Sequence, residues 1–238
     1  MSPIPDLVPA DTGVPHATEV AVIGGGIIGV CALLKLAEQG IPVTLLEKGE
    51  IAAEQSSRNW GWCRQQGRDP REMPLIIRSL NLWGEMNTRI QRDVGFKECG
   101  VLALAQSDSE LEKHRAWSSI GKEYGVESKL LRGSDVAQHI PGCVTAWTGG
   151  LFTPSDGRAE PTLAAPAIAL AARSLGARIL TNTAVRTIDT QAGQVNGVVT
   201  EHGRIQCNTV IVAAGAWTSL FLRNLGIRLP QLKVRSSA

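Results

Sequence analysis

Apolar positions recur with two different periods along the chain, and the change between them is clearest near residue 20. Residues 19–23 form a β-branched run, residues 27–39 place apolar side chains at helical spacing, and residues 41–47 form a second apolar run that ends in Glu47. Strand, helix and strand in this order predict two parallel strands joined by a crossover helix.

The same two periods predict the elements that follow. Helical spacing marks residues 71–93, 108–124, 134–140 and 161–175, and strand patterns mark residues 100–105, 126–131, 147–152, 177–180, 184–190, 194–200, 204–207 and 208–213. Pro161 suits a first helical turn, whereas Pro166 predicts either a kink or a later helix start. The order predicts an α/β fold in which a Rossmann-like nucleotide-binding sheet is interrupted by an inserted mixed α+β layer for substrate contacts.

Composition narrows the class of protein. The chain has 238 residues, 43% of them hydrophobic, and a net charge of +2, which favours neither nucleic acid nor an anionic membrane as a partner. Its longest uncharged apolar stretch, residues 20–34, contains four glycines and is shorter than the roughly 20 residues of a membrane span. Residues 1–18 carry no targeting signal and are expected to be a flexible lead-in.

Cysteine and histidine usage suggests a location and argues against a metal site. Five cysteines, an odd number without a C-x-x-C pair, indicate unpaired thiols in a reducing compartment, so we expect a cytoplasmic protein. The four histidines lack metal-ligand spacing, and we expect no metal. Cys63 lies in a candidate site loop, but a bystander role is favoured over chemistry.

The turn between the first strand and the first helix carries the spacing G-x-G-x-x-G at Gly24, Gly26 and Gly29. The first glycine allows a tight turn, the second allows close approach to a pyrophosphate, and the third allows the helix to pack on the strand. Glu47 follows at the distance expected of a ribose-binding carboxylate, which disfavours NADP. The alternative is a glycine-rich turn that binds nothing.

Residues 48–70 form a long polar connection that contains Trp60 and Trp62. Irregular connections of this length inside a domain are usually functional. The two indoles are expected either to pack in a core or to contact a flat cofactor.

Four stretches resemble the FAD-dependent amine and amino-acid oxidoreductases, the group of D-amino-acid oxidase and dehydrogenase, glycine oxidase and sarcosine oxidase. They are VAVIGGGIIG (20–29), VTLLEK (43–48), SSRNWGW (56–62) and NTVIVAAGAW (208–217), with a looser match at SDGRAEP (155–161). The resemblance implies FAD, because enzymes that use NAD do not usually combine the first stretch with a late AAGAW turn.

The resemblance also implies a set of cofactor-binding residues. They are Gly24, Gly26, Ile28 and Gly29 at the pyrophosphate, Glu47 and Lys48 at the ribose, Ser56, Ser57 and Arg58 in the loop toward the flavin, Trp60, Gly61 and Trp62 beside the isoalloxazine, Val185 at the adenine, and Ala214 and Gly215 in a turn close to the cofactor.

The implied reaction is oxidation of a carbon–nitrogen bond in a secondary amine or amino acid, with a D-amino acid favoured, by hydride transfer to flavin. No catalytic residue is assigned, and nothing marks Tyr124, the single tyrosine. Alternatives are a nicotinamide-dependent dehydrogenase and a non-catalytic, truncated or partner-dependent FAD-binding fragment. Chains of the family are usually longer, so we expect a truncated C-terminus, with a missing half or a partner subunit supplying the rest.

The expected domain organisation follows from these assignments. It comprises a lead-in (1–18), an FAD-binding βαβ unit with an adjoining helix (19–95), a partial substrate-domain insertion (96–160), a return to the FAD-binding domain with a β-meander (161–225), and the start of a truncated substrate segment (226–238).

Overall fold

The computed structural model describes residues 3–232 and 234, which contain thirteen strands and six α-helices. The strands are β1 (Val20–Ile23), β2 (Val43–Leu46), β3 (Trp62–Cys63), β4 (Lys97–Glu98), β5 (Val101–Ala105), β6 (Lys129–Arg132), β7 (Gly149–Thr153), β8 (Gly157–Arg158), β9 (Arg178–Leu180), β10 (Val185–Gln191), β11 (Gln194–Thr200), β12 (Gly203–Gln206) and β13 (Thr209–Val212). The helices are α1 (Ile27–Glu38), α2 (Met73–Ile90), α3 (Asp108–Glu123), α4 (Gly133–His139), α5 (Pro161–Ser174) and α6 (Thr218–Arg223).

The chain packs as two units. The first contains residues 1–59, 90–94 and 161–238, and the second contains residues 60–89 and 95–160. The sequence assigns residues 60–89 to the FAD-binding domain. In the structure, β3 pairs with β8, so the start of this stretch belongs to the second unit. The predicted domain assignment itself stays a prediction.

The first unit is built on a parallel four-stranded sheet in the order β13-β1-β2-β9. Strands β1 and β2 are buried along their whole length, as expected of central strands in a parallel sheet. The strand β13, predicted to be of the buried type, is only half-buried because it forms one edge of this sheet. Strands β10, β11 and β12 form the predicted antiparallel meander, whose first turn places Ala192 and Gly193 at positive φ. The predicted α/β class with a parallel nucleotide-binding sheet is confirmed.

Helix α5 begins at Pro161 and runs through Pro166 without interruption. The predicted later start is therefore wrong. Proline has no N–H to donate to the carbonyl four residues earlier, which here belongs to Thr162. That carbonyl instead accepts a hydrogen bond from the N–H of Asp6 at 3.0 Å. The N-terminal segment thus supplies the donor that the proline lacks.

Two further contacts attach the N-terminal segment to β9 and to α5. Asp11 accepts a hydrogen bond from the N–H of Ile179 at 2.8 Å and pairs with Arg173 at 2.6 Å. The flexibility of the lead-in stays a prediction. At the other end, residues 226–232 contain no helix or strand, and the rest of the predicted substrate segment, apart from residue 234, lies outside the described residues.

The second unit contains two antiparallel sheets, β3-β8-β4 and β5-β7-β6, with helices α2, α3 and α4. This mixed α+β composition agrees with the predicted insertion. Helix α2 is confirmed, but its apolar stripe is only partly a core face. Met86 and Ile90 are buried, whereas Leu75 is largely exposed. Within the described residues no helix has both the length and the apolar character needed to cross a membrane.

A buried carboxylate joins two distant stretches of the second unit. Asp156 is fully buried, and its two oxygens accept hydrogen bonds from the N–H groups of Gln65 and Gln66 at 2.7 and 3.0 Å. Gln66 in turn donates to the carbonyl of Leu151 at 2.9 Å. Burial raises the pKa of Asp156 above its ordinary value of 3.8, although the two backbone donors oppose this shift.

We expect Asp156 to give the chain a pH-dependent stability. Because its folded-state pKa is raised, the folded chain binds a proton more tightly than the unfolded chain does, so stability falls as pH rises from 3.8 through the raised value. Urea unfolding of the wild type and of Asp156→Asn between pH 3.5 and 7 (about the range that brackets a carboxyl) measures this. A difference between the two chains that stays constant over this range contradicts the expectation.

Candidate dinucleotide-binding site

A cleft of about 400 Å³ lies at the carboxyl ends of β1, β2 and β13 in the first unit. This edge of an open parallel sheet is where such folds bind ligands. Eight of the residues predicted from the sequence line it, namely Gly24, Gly26, Glu47, Lys48, Ser56, Val185, Ala214 and Gly215.

The glycine turn leaves no room for side chains at two of its positions. Gly24 has a φ of +111°, and a Cβ there would lie 2.4 Å from the carbonyl oxygen of Ala213. A Cβ on Gly29 would lie 1.9 Å from the carbonyl oxygen of Gly24. Both obstacles are backbone atoms, so helix α1 can pack against this turn only if glycine occupies these positions.

The turn presents backbone donors at the start of α1. Among the first four N–H groups, that of Ile27 donates to Ser56 Oγ at 2.9 Å. Those of Gly26, Ile28 and Gly29 make no hydrogen bond within the described part of the chain. Unpaired donors at the positive end of a helix suit an anion such as a pyrophosphate. The Ile28 side chain is 70% exposed. It is the backbone N–H of Ile28, and not its side chain, that joins the set of donors.

Glu47 is 9% exposed, and backbone donors hold its carboxylate. One oxygen accepts a hydrogen bond from the N–H of Gly25 at 2.7 Å, and the other accepts one from the N–H of Gly49 at 2.9 Å. Each oxygen retains a lone pair for a further donor, such as a ribose hydroxyl. The sequence predicted the ribose role, whereas the bracing of the glycine turn by Glu47 emerges only from the structure.

The loop after β2 is held by ion pairs. Glu54 pairs with Lys48 at 2.9 Å and with Arg58 at 3.2 Å, and Arg58 also donates to the carbonyl of Ala53 at 2.8 Å. The hydroxyl of Ser57 is buried and donates to the carbonyl of Glu54. Arg58 and Ser57 thus shape the loop and are not among the residues that line the cleft. Their contact with the cofactor stays a prediction.

Trp60, Gly61 and Trp62 belong to the second unit. The indoles of Trp60 and Trp62 are 66% and 51% exposed, and their ring centres lie 5.0 Å apart. The guanidinium carbon of Arg64 lies 5.4 Å from the Trp62 ring. The core-packing alternative for these two tryptophans is therefore wrong. The contact of Trp60, Gly61 and Trp62 with the flavin stays a prediction.

Sequence reasoning missed several residues that line the cleft, among them the polar or aromatic residues Glu54, Arg186 and Trp217. Arg186 forms an ion pair with Glu201 across the hairpin β10–β11. Trp217 follows β13 and places its ring 4.1 Å from Lys48 Nζ. The tryptophan of the AAGAW stretch was visible in the sequence, but no spacing rule connects it to Lys48.

The five cysteines are free thiols and differ in environment. Burial raises the pKa of Cys63 to about 11. The exposed Cys143 accepts a hydrogen bond from the indole N–H of Trp147 at 3.5 Å, which lowers its pKa. The thiol of Cys63 is therefore protonated at neutral pH, consistent with a bystander role.

We expect Cys63 and Cys143 to be alkylated at different rates. The thiolate is the reactive form, so a pKa of about 11 against an ordinary 9.0 leaves Cys63 reacting about 100-fold more slowly than an unperturbed thiol at pH 8. Timed treatment with iodoacetamide and peptide mass mapping should label Cys143 first. Equal labelling rates for Cys63 and Cys143 would contradict the assignment.

Comparison with known proteins supplies the family. The family model described as "DAO: FAD dependent oxidoreductase" matches residues 19–238. Human mitochondrial sarcosine dehydrogenase is 30% identical, and the alignment covers 91% of this chain and 24% of the relative. A D-amino acid dehydrogenase from Rhizobium johnstonii is 25% identical over 91% of this chain and 66% of its own.

The solved structures agree with this result. An L-amino acid deaminase from Proteus myxofaciens superposes with a TM-score of 0.90 at 33% identity, covering 95% of this chain and 52% of its own. This chain thus spans about a quarter to two thirds of the length of these proteins. The glycine turn, the Glu47 carboxylate and the late Ala214–Gly215 turn lie within the matched residues. The chain belongs to the DAO family of FAD-dependent oxidoreductases.

Proposed function

We propose that this chain binds FAD in the cleft at the carboxyl ends of β1, β2 and β13, as the dinucleotide-binding part of an amine or amino-acid oxidoreductase. The observation that carries the proposal is the set of unpaired N–H groups of Gly26, Ile28 and Gly29 at the start of α1, next to a cleft that Gly26 and Glu47 line. A pyrophosphate needs such donors, and a ribose needs such an acceptor.

The residues of the cleft fit this cofactor. A Cβ on Gly26 would lie 3.1 Å from Ser56 Oγ and would occupy space beside the donor groups. Ser56 accepts from Ile27, so its own proton is available to an anionic oxygen. Lys48 adds a positive charge to the cleft, and Val185 adds an apolar wall at the start of β10.

When bound, FAD would supply the two-electron oxidant for a carbon–nitrogen bond of the substrate. The start of α1, Ser56, Glu47 and Lys48 would hold it. The contribution of this chain is to hold and orient the cofactor. An amine that enters neutral does not require a protein base, and no residue of this chain is assigned that role.

Substrate identity is proposed at two levels. The coarse level, an amino acid or amine, follows from membership of the family. The finer level, a D-amino acid, was favoured from the resemblance. The compared relatives are named for sarcosine, for D-amino acids and for L-amino acids, so the test must include all three classes. A cytoplasmic location stays a proposal from cysteine usage.

The test is the visible spectrum of the purified chain with and without added FAD, followed by anaerobic addition of D-amino acids, L-amino acids, proline and sarcosine. A bound flavin spectrum is expected, and bleaching by one class identifies the substrate. Retained flavin without bleaching would support the alternative of a non-catalytic or partner-dependent fragment. Binding of NADH without FAD would overturn the proposal in favour of a nicotinamide-dependent enzyme.

A further inference from the structure

The contact between Lys48 and Trp217 joins the two sides of the cleft. Lys48 follows β2, and Trp217 follows β13, the strands on either side of β1 in the sheet. The glycine turn follows β1 and so lies between them. Neighbouring strands are about 4.8 Å apart, so residues that follow β2 and β13 are separated by about twice that distance. Two long side chains are needed to cover this gap, and lysine and tryptophan provide them.

The contact is a cation–π interaction, since Lys48 Nζ lies 4.1 Å from the centre of the Trp217 ring. This distance is within the roughly 6 Å over which a ring attracts an ammonium group. The same ammonium also pairs with Glu54 at 2.9 Å, so Lys48 contacts both a carboxylate and the ring.

Both side chains line the same cleft as Gly24, Gly26 and Glu47. We propose that the Lys48–Trp217 pair bridges the glycine turn and retains the cofactor, which makes both residues positioning residues for FAD. The inference rests on the proposed FAD site and deepens it. Trp217 carries no role in the sequence-based assignment, and Lys48 was assigned only to lie beside the ribose.

The bridge is expected to act on the release of FAD. A cofactor held in the cleft leaves only when the ammonium and the ring separate, so breaking the contact speeds dissociation. Loss of a cation–π contact at a partly exposed site is expected to raise the dissociation rate about two- to fivefold. Lys48→Met keeps the length of the side chain and removes the charge. Trp217→Leu removes the ring, and Trp217→Phe keeps a smaller aromatic face.

The experiment measures the FAD dissociation rate of the full chain by flavin fluorescence after dilution, together with the equilibrium affinity. Lys48→Met and Trp217→Leu are each expected to release FAD about two- to fivefold faster than the wild type. The release rate of Trp217→Phe should lie between those of these two variants and the wild type. Lys48→Arg keeps the positive charge and should release FAD as slowly as the wild type does. Lys35→Met is the matched control, because Lys35 is exposed in the last turn of α1, at the opposite end from the glycine turn.

A double-variant cycle tests whether the two residues act through their contact. If they do, Lys48→Met combined with Trp217→Leu releases FAD no faster than the faster single variant. Multiplicative rate increases in the double variant, or single variants with wild-type release rates, overturn the bridge while leaving the FAD site intact. A correctly folded wild-type chain that binds no FAD overturns the proposed function and the bridge together. Far-UV circular dichroism confirms that each variant is folded.

Discussion

Replacement of Gly29 by alanine should strongly weaken FAD binding. The new Cβ would stand 1.9 Å from the carbonyl oxygen of Gly24, a backbone atom that cannot move aside as a flexible side chain does. Helix α1 must then separate from the glycine turn, which moves the N–H groups of Gly26 and Ile28 away from their common target. Overpacking of this kind costs about 1–3 kcal/mol, and occasionally more, which corresponds to a loss of affinity of about 5- to 150-fold.

The measurement is a flavin titration of the wild type, Gly29→Ala and a matched control, with urea unfolding on the same samples. Gly84→Ala is the control, because Gly84 lies inside α2 and a Cβ there meets nothing within 4 Å. It should bind FAD as the wild type does and gain up to about 1 kcal/mol of stability from helix propensity. FAD affinity of Gly29→Ala within threefold of the wild type would refute the assigned role of this glycine.

Replacement of Glu47 by alanine is expected to weaken both the fold of the first unit and its affinity for FAD. The change removes the acceptor for the N–H groups of Gly25 and Gly49 at a position that is nearly buried. Hydrogen bonds to charged groups contribute about 1.5–3 kcal/mol each, so we expect a loss of about 2–4 kcal/mol of stability once solvent replaces part of the lost bonding. The proposed ribose contact disappears in the same step.

Glu47→Gln separates the two contributions. It keeps one acceptor oxygen and should therefore recover part of the stability. Glu50→Ala is the control in the same turn, where the carboxylate accepts a bond from Asn182 at the exposed surface. It should cost about 1 kcal/mol or less, as exposed polar contacts do. Equal unfolding midpoints for Glu47→Ala and Glu50→Ala would show that the carboxylate does not brace the turn.

Local patterns in the sequence were sufficient to predict the dinucleotide-binding half of the fold. The turn from β1 into α1 and the acid after β2 are encoded within 30 consecutive residues, where spacing alone constrains the geometry. The Ala214–Gly215 turn was placed by family resemblance, since nothing local connects it with residues nearly 200 positions earlier. These three features are brought together in the cleft.

The parts that sequence reasoning missed depend on pairing between distant residues. Asp156 accepts hydrogen bonds from Gln65 and Gln66, which lie about 90 positions away. In the sequence, Asp156 has only the pattern of a turn residue. The stripe of α2 has the spacing of a core face, yet spacing cannot show which part of a stripe the rest of the chain covers. Leu75 remains exposed for this reason.

The bond from the Asp6 N–H to the Thr162 carbonyl has a consequence for how this family can diverge. In the middle of α5, Pro166 has no N–H to donate to the Thr162 carbonyl, and a backbone donor more than 150 positions away bonds that carbonyl. Any amino acid at position 6 other than proline supplies that donor, so selection acts on the path of the backbone and not on a side chain. Relatives whose N-terminal segment follows a different course should therefore replace the proline, and the two features should be inherited together across an alignment even though no pair of side chains joins them.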